Sequence, residues 1–351
     1  MKTYSAIGLM SGTSLDGLDI CYVKFQFPDI HRFEILQAET ISYDENWKLK
    51  LKNSIYLSAE ELTKLDFDYG MYLGKSVKEF IQKNQIENLD FISSHGHTVF
   101  HNPAENYTLQ IGKGQGIFIE TGIKTIYDFR SQDVLFGGQG APLVPIGDEV
   151  LFSEFDACLN LGGFSNISFE RNSNRIAFDI CPVNIVLNQL AEQLNKTYDI
   201  NGEIARSGKI NFDLLEKLNE LEYYKKQPPK SLGVEWCMEF VFPLLEKSEL
   251  KTDDIISTFT EHIAFQIAEI LNFNSIKNVL VTGGGAYNIY LIELIRKKTN
   301  TEIIIPENSL VEYKEALIFA LMGILRLENQ TNVLKSVTGA HKNHSSGILI
   351  S

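Results

Sequence analysis

The sequence predicts an α/β protein of two domains, and three observations carry that prediction. At 351 residues the chain exceeds what one hydrophobic core usually supports. Short β-prone apolar runs alternate along it with stretches whose apolar residues recur every three or four positions. A strand–turn–strand segment with a glycine-rich tip occurs twice, about 150 residues apart. The two copies share few residues, so they suggest two lobes of similar topology and not a tandem array.

Tyr4 to Met10 is the first β-prone run, Ser11 to Gly17 the turn, and Leu18 to Phe27 the returning strand. Helical periodicity spans Ile55 to Gln85, and Leu89 to Ser93 reads as a buried strand leading into His95-Gly96-His97-Thr98. Residues 96–103 contain Gly96 and Pro103 and read as loop. Ile123 to Tyr127 is a further strand, ending at Asp128-Phe129-Arg130. The second hairpin has strands at Ala157 to Leu161 and Ile167 to Phe169, with Gly162 to Asn166 as its turn. Residues 184–196, 211–222 and 255–271 are helical, and His262 falls on what looks like ordinary amphipathic surface. Val279 to Val281 is a strand core running into Gly283-Gly284-Gly285, with helices from Ile289 and from Glu312 to Leu327. Pro228-Pro229-Lys230-Ser231 is the nearest thing to a linker.

Composition excludes several classes. A formal net charge of −13 argues against nucleic acid or an anionic membrane as partner, because phosphate-rich surfaces attract basic faces. Small anions stay open, since backbone N–H groups and a metal ion bind them without a basic surface. Hydrophobic content of 44% and charged content of 22% are those of a soluble globular protein. No apolar stretch reaches the ~20 residues of a membrane span, and the opening MKTYSAIGLM lacks a signal-peptide pattern. Cys21, Cys158, Cys181 and Cys237 have no CxxC spacing, so a reducing cytoplasm is the simplest location.

Four loops and one histidine run could carry chemistry. Gly12-Thr13-Ser14-Leu15-Asp16-Gly17 combines backbone N–H groups, hydroxyls and a carboxylate able to hold hydrated magnesium, and it is equally a plain hairpin turn. Gly283-Gly284-Gly285 opens a strand-to-helix turn where a nucleotide could lie against backbone, or it is simply a tight turn. Arg130 follows a strand and could clamp a carboxylate or phosphate, with Thr98, Asp133 and Gly137-Gly138-Gln139-Gly140 nearby; the alternative is a surface ion pair. Asp179 ends the run Arg175 to Phe178, where a carboxylate is placed for general-base work, and by spacing alone a helix N-cap explains it better. His95, His97 and His101 could ligate zinc, although no third-ligand carboxylate accompanies them.

Taken in order, these loops resemble the anhydro-N-acetylmuramic acid kinases, sugar kinases of the actin-like ATPase fold. The resemblance rests on the run Gly8 to Asp19 and on Ser94-His95-Gly96-His97-Thr98. It continues through Asp128-Phe129-Arg130, the run Gly137 to Pro145, Asn160 to Asn166 and Phe178-Asp179. Pro228 to Ser231, Gly283 to Asn288, Glu315-Ala316 and Thr338-Gly339-Ala340 complete it across essentially the whole chain.

The resemblance implies two lobes, each a ribonuclease-H-like mixed sheet with helices, and an ATP cleft between them. The expected division is residues 1–130, completed by 329–351, against 131–328 with helical insertions. The implied activity uses ATP and Mg2+ to open the 1,6-anhydro bridge with water and phosphorylate O6, in cell-wall sugar recycling. Asp179 would be the catalytic base, and His95, His97, Thr98, Arg130, Gly138 and Gln139 would contact the amino sugar. Gly12, Thr13, Ser14, Asp16 and Gly17 would hold the phosphates, Asp16 taking the metal through water. Gly162, Gly163, Asn166, Gly283, Gly284, Gly285 and Asn288 would hold the rest of the nucleotide. Dimerisation is common in such enzymes, and no interface is legible here.

The chain departs from the family pattern at three places. Cys181 and Val183 replace two glycines after the base, where their side chains are expected to crowd the substrate. His97 replaces a glutamine, and Leu232 to Glu235 lacks the expected Thr and Arg. A non-catalytic or altered-specificity sugar and nucleotide sensor is the second hypothesis, and a histidine-ligated metal hydrolase the third.

Overall fold

The computed structural model describes residues 2–12 and 15–351. Contacts divide the chain into two units: residues through Phe152 together with Tyr313–Ser351, and Ser153–Glu312. The divisions therefore fall at residues 152 and 312, where the sequence suggests 130 and 328. Packing within the first unit accounts for the difference. Lys314 and Asp148 form a buried ion pair at 2.6 Å, Gly147 lies against Ile318, and Gly8 lies against the Ala316 backbone. The segments 131–152 and 313–328 thus share a core with the N-terminal strands.

The first unit carries β1 (Lys2–Ser11), β2 (Gly17–Phe27), β3 (Phe33–Ser42), β4 (Phe91–Ser94), β5 (His97–Asn102), β6 (Tyr107–Ile111) and β7 (Thr125–Tyr127). The second carries β8 (Ala157–Leu161), β9 (Phe164–Arg171), β10 (Asn174–Pro182), β11 (Asn278–Thr282) and β12 (Glu302–Ile304), and β13 (Ile348–Ile350) returns to the first. The main sheets are ordered β13-β7-β4-β1-β2-β3 and β10-β9-β8-β11-β12. In each, three antiparallel strands are followed by two that add in parallel on the far side of the first. That three-two-one-four-five order is the ribonuclease-H arrangement, present once per unit, with β13 an extra edge on the first.

Local chemistry explains the elements. The helix Ala59–Lys83 starts at a capping box, Ser58 with Glu61, and buries Leu62, Leu65, Tyr69, Leu73, Val77 and Phe80 at helical spacing. Each such side chain contributes ~1.5–3 kcal/mol by leaving water. The helix Thr252–Phe273 is covered on more than its apolar face and buries His262 completely, so this histidine is core and not surface. Its Nε2 meets the Tyr224 hydroxyl at 2.9 Å and its Nδ1 meets Asn219 Oδ1 at 2.6 Å. The expected loop at 96–103 is also corrected: His97–Asn102 is β5, paired with β6, and Pro103 follows it. Among the described residues no helix is long and apolar enough to cross a membrane.

Candidate active site

In the second unit Asp179 stands on β10, the edge strand of its sheet, beside a register shift between Asp179 and Cys181. Across the ladder Asp179 pairs with Asn166, Asn166 with Asn160, and Asn160 with Thr282. Paired residues project from the same face, so polar side chains form a row across β10, β9, β8 and β11. The row lies where the turns Gly162-Gly163 and Gly283-Gly284-Gly285 begin, and Thr282 Oγ1 is buried there without a hydrogen-bond partner among the described residues. Asn166, expected in a turn, is part of β9 and stands level with Asp179.

Asp179 is no helix cap. The following helix, Asn184–Glu192, has Val183 at its N-cap with no side-chain bond. The Asp179 carboxylate instead accepts the Leu232 N–H at Oδ2, 2.8 Å away, while Oδ1 takes no hydrogen bond from the described residues. Burial pushes this carboxyl above its ordinary value, and the Leu232 N–H draws it part of the way back. A half-buried carboxylate with one oxygen held and the other free has the form of a general base.

The glycine turns separate into two kinds. Gly283 has φ +83° and packs on Asn160 and Leu161, so the fold itself requires glycine there. At Gly163 and Gly284 a side-chain methyl would meet nothing among the described residues closer than Ile185 Cβ at 3.9 Å and Asn184 Nδ2 at 3.8 Å. These two backbones are open, as a nucleotide lying against them requires, and the unpartnered Thr282 hydroxyl is beside them. The residues present therefore fit a nucleotide. Asn288 does something else: its Oδ1 accepts the Leu291 N–H at 3.0 Å and caps the helix Ile289–Lys298. The first amides of the helix Asn184–Glu192 are likewise taken, by the Gly162 and Gly163 carbonyls.

In the first unit Thr13 and Ser14 lie outside the described residues. Gly12 follows β1, Leu15 has φ 61°, Asp16 is exposed, and Gly17 begins β2, paired with Ser42. An exposed carboxylate suits an ion held through water. Asp19, two residues into β2, accepts the Thr40 hydroxyl at 2.6 Å.

Arg130 forms no surface ion pair among the described residues. Its Nε–H donates to His95 Nε2 at 2.9 Å. Burial lowers its pKa to about 10, opposed by the Glu315 charge, so it stays a cation. Burial, then the charge of Asp19, raises the pKa of Glu315. His101 lies beside this pair, against Gly140 and 3.0 Å from Thr108 Oγ1. His97 points elsewhere: its Nδ1 is 3.4 Å from Ser11 Oγ and its ring is edge-on to Tyr69, with burial pushing its pKa down to about 4. Thr98 Oγ1 accepts Gln110 Nε2 at 3.3 Å. No group of three or more His, Cys, Asp or Glu among the described residues could hold a metal ion, so the zinc alternative at His95, His97 and His101 finds no assembled ligand set there.

The loop 137–140 is organised by Asp133, which is fully buried. It accepts the Gly140 N–H at 2.7 Å and the Thr338 hydroxyl at 2.8 Å, and Gly138 packs directly on its carboxylate. A side chain at 138 has no room, which makes that glycine structural. Gln139 is exposed, with its N–H on the Thr338 carbonyl at 2.7 Å.

The family model for anhydro-N-acetylmuramic acid kinase matches residues 4–351. A protein of that name from Francisella tularensis subsp. novicida (strain U112) is 33% identical, over 95% of each chain. One from Bacillus cereus (strain 03BB102) is also 33% identical, over 95% of each. Among solved structures, component A of (R)-2-hydroxyglutaryl-CoA dehydratase from Acidaminococcus fermentans aligns with TM-score 0.48 at 14% identity, covering 91% of this chain and 96% of that one. The chain belongs to the anhydro-N-acetylmuramic acid kinase family.

Within that family the departures at Cys181 and Val183 take on a different meaning from the one the sequence suggests. Both side chains are fully buried in the core of the second unit, and Cys181 Sγ lies 3.2 Å from Ser165 Oγ. They fill the interior and do not crowd a ligand surface, which removes the observation behind the sensor hypothesis. Sequence reasoning missed Tyr223 and Leu232, which hold Asp179 by backbone and phenol groups with no motif to mark them. It also missed Asn160 and Thr282, which only the strand register brings into the row.

Proposed function

We propose that this chain is an ATP- and Mg2+-dependent kinase of 1,6-anhydro-N-acetylmuramic acid, acting in the cytoplasm in cell-wall sugar recycling. One observation carries the proposal: a half-buried Asp179 with Oδ2 held by Leu232 N–H and Oδ1 free, level with a polar row that ends at open glycine backbones. Asp179 Oδ1 takes a proton from the water that attacks the anomeric carbon. The C1–O6 bond breaks, its electron pair stays on O6, and O6 becomes the phosphoryl acceptor, giving N-acetylmuramic acid 6-phosphate. ATP supplies the γ-phosphoryl group and leaves as ADP; Asp16 would hold Mg2+ through water, and the ion would neutralise charge on the phosphates.

The chain's own groups do the remaining work. Arg130 spends Nε on His95 and keeps Nη1 and Nη2 for the sugar's carboxylate. Thr98, Gly138 and Gln139, with His95 and His97, shape the same loops of the first unit. Gly162, Gly163, Gly283, Gly284 and Gly285 offer backbone to the nucleotide, and Gly12, Thr13, Ser14 and Gly17 to its phosphates. Asn166 serves beside the base, and Asn288 supports its loop as a cap. A homodimer is the assembly this function is expected to take.

The test is an assay with the anhydro sugar, ATP and Mg2+ in 18O-labelled water. The label is expected at C1 of a sugar 6-phosphate and not in phosphate. Asp179→Asn should abolish turnover while ATP still binds. Label in inorganic phosphate alone would show ATP hydrolysis without sugar chemistry and defeat the proposal.

A further inference from the structure

An edge strand leaves half of its backbone groups without a ladder, and proteins usually cover such an edge. At Asp179 the cover is a strap, residues 223–232, and not another strand. Three hydrogen bonds from it converge on this one residue. The Tyr223 hydroxyl donates to the Asp179 carbonyl at 2.6 Å, the Asp179 N–H donates to the Lys230 carbonyl at 3.3 Å, and the Leu232 N–H donates to Oδ2 at 2.8 Å. They fall where the ladder shifts register, and a bulge re-aims a side chain out of the regular pleat.

The strap is anchored from behind. Tyr223 packs on Trp236 and on Tyr224, with ring centroids 5.4 and 5.7 Å away, and Tyr224 is tied to the buried His262. Lys230 Nζ lies over the Tyr223 ring at 4.7 Å. Tyr223 is almost fully buried, so packing fixes its ring, and the hydroxyl bond joins that ring to the Asp179 backbone; Trp236, Phe240, Leu221 and Leu244 border a cavity of about 400 Å³ beside it. Burial, then the nearby Asp179 charge, raises the phenol's pKa, so it remains a donor.

We propose that Tyr223 is a positioning residue for the base: by holding the Asp179 carbonyl at the bulge, it keeps Oδ2 on the Leu232 N–H and leaves Oδ1 directed at the attacking water. This rests on Asp179 being the base. Tyr223 touches no reacting atom and acts through Asp179.

Tyr223→Phe deletes only the donor. In steady-state kinetics on the full chain, kcat is expected to fall about tenfold, with both KM values within about twofold of the parent. The acidic limb of the kcat–pH profile should move to higher pH, because an anion that loses its N–H donor is harder to form. The thermal midpoint should fall by no more than a few degrees, as for one lost hydrogen bond. Full kcat with an unmoved limb would overturn the proposal, and so would a loss of kcat matched by a fall in thermal midpoint with the limb in place. Asp179→Asn, measured alongside, separates the two levels. If it is inactive while Tyr223→Phe matches the parent, positioning fails and the base stands; if it keeps full activity, both fall.

Discussion

Arg130 Nε–H donates to His95 Nε2 at 2.9 Å, and this bond assigns the tautomer of the imidazole. Nε2 must carry the lone pair, so the ring proton is on Nδ1, 2.8 Å from the Gly96 carbonyl it serves. Burial and then the Arg130 charge hold the His95 pKa well below its ordinary value, keeping the ring an acceptor at neutral pH.

His95→Ala should therefore free Arg130 and raise the KM for the sugar about tenfold, leaving the KM for ATP unchanged. His95→Gln, whose carbonyl oxygen can accept the same bond, should recover most of the loss. Varying each substrate in turn checks this. Equal rises in both KM values would mean that the pair does not serve the sugar.

Replacing Gly284 or Gly163 by alanine should leave thermal stability unchanged, since the methyl enters open space, and should raise the KM for ATP. Gly283→Ala differs, because φ +83° is strained for any L side chain, and should cost ~1–2 kcal/mol of stability. Thermal melts and nucleotide titrations of these variants distinguish a ligand surface from a structural turn. Unaltered ATP affinity at both open positions would remove these loops from the nucleotide site.

Asp133→Ala would strand the Gly140 N–H and the Thr338 hydroxyl inside the protein. Two buried groups left unpaired predict a loss of ~2–5 kcal/mol, read by denaturant unfolding. Gln139→Ala, on the exposed part of the same loop, should cost nothing in stability. A mild Asp133→Ala phenotype would contradict the view that this carboxylate organises the loop.

His95, His97 and His262 are held neutral by burial, with pKa values depressed to about 4 for His97 and about 3 for His262. The unfolded chain takes up protons at these sites below about pH 6.5, and the folded chain does so only at lower pH. Stability from this source is full above about pH 6.5 and is lost as pH falls, at ~1.4 kcal/mol per pH unit for each histidine. Thermal midpoints should drop between about pH 7 and pH 5, with a shallower slope in His262→Gln. A flat profile in the parent would refute the assignment.

Cys181→Gly should destabilise by ~1–3 kcal/mol through the cavity it leaves, and should not alter which sugar is phosphorylated. Thermal unfolding and a panel of anhydro and free amino sugars would measure both. A change of preferred sugar would restore the view that this position faces the substrate.

Much of the fold is legible in the sequence. The antiparallel pairing of β1 with β2, the long helix after Ser58 and the turn after Thr282 are encoded by neighbours within a turn or a strand of one another. So is their order, and with it the family. Periodicity and capping act over a few residues, which is why they can be read from sequence.

Partnership was not legible, because it depends on segments far apart in the chain. Asp179 looked like a cap by spacing, and what decides against it is an N–H at Leu232, 53 residues away. His262 looked exposed because its helix is amphipathic in sequence, but packing covers both sides of that helix. Cys181 looked like a wall of the substrate site, and the register shift after Asp179 turned it inward, opposite Ser165. Sequence alone determined which residues could carry a proton, a phosphate or a sugar. Only the tertiary structure decided which of them are held, by what donor, and on which face, because register and burial are properties of the assembled sheet and not of the local chain.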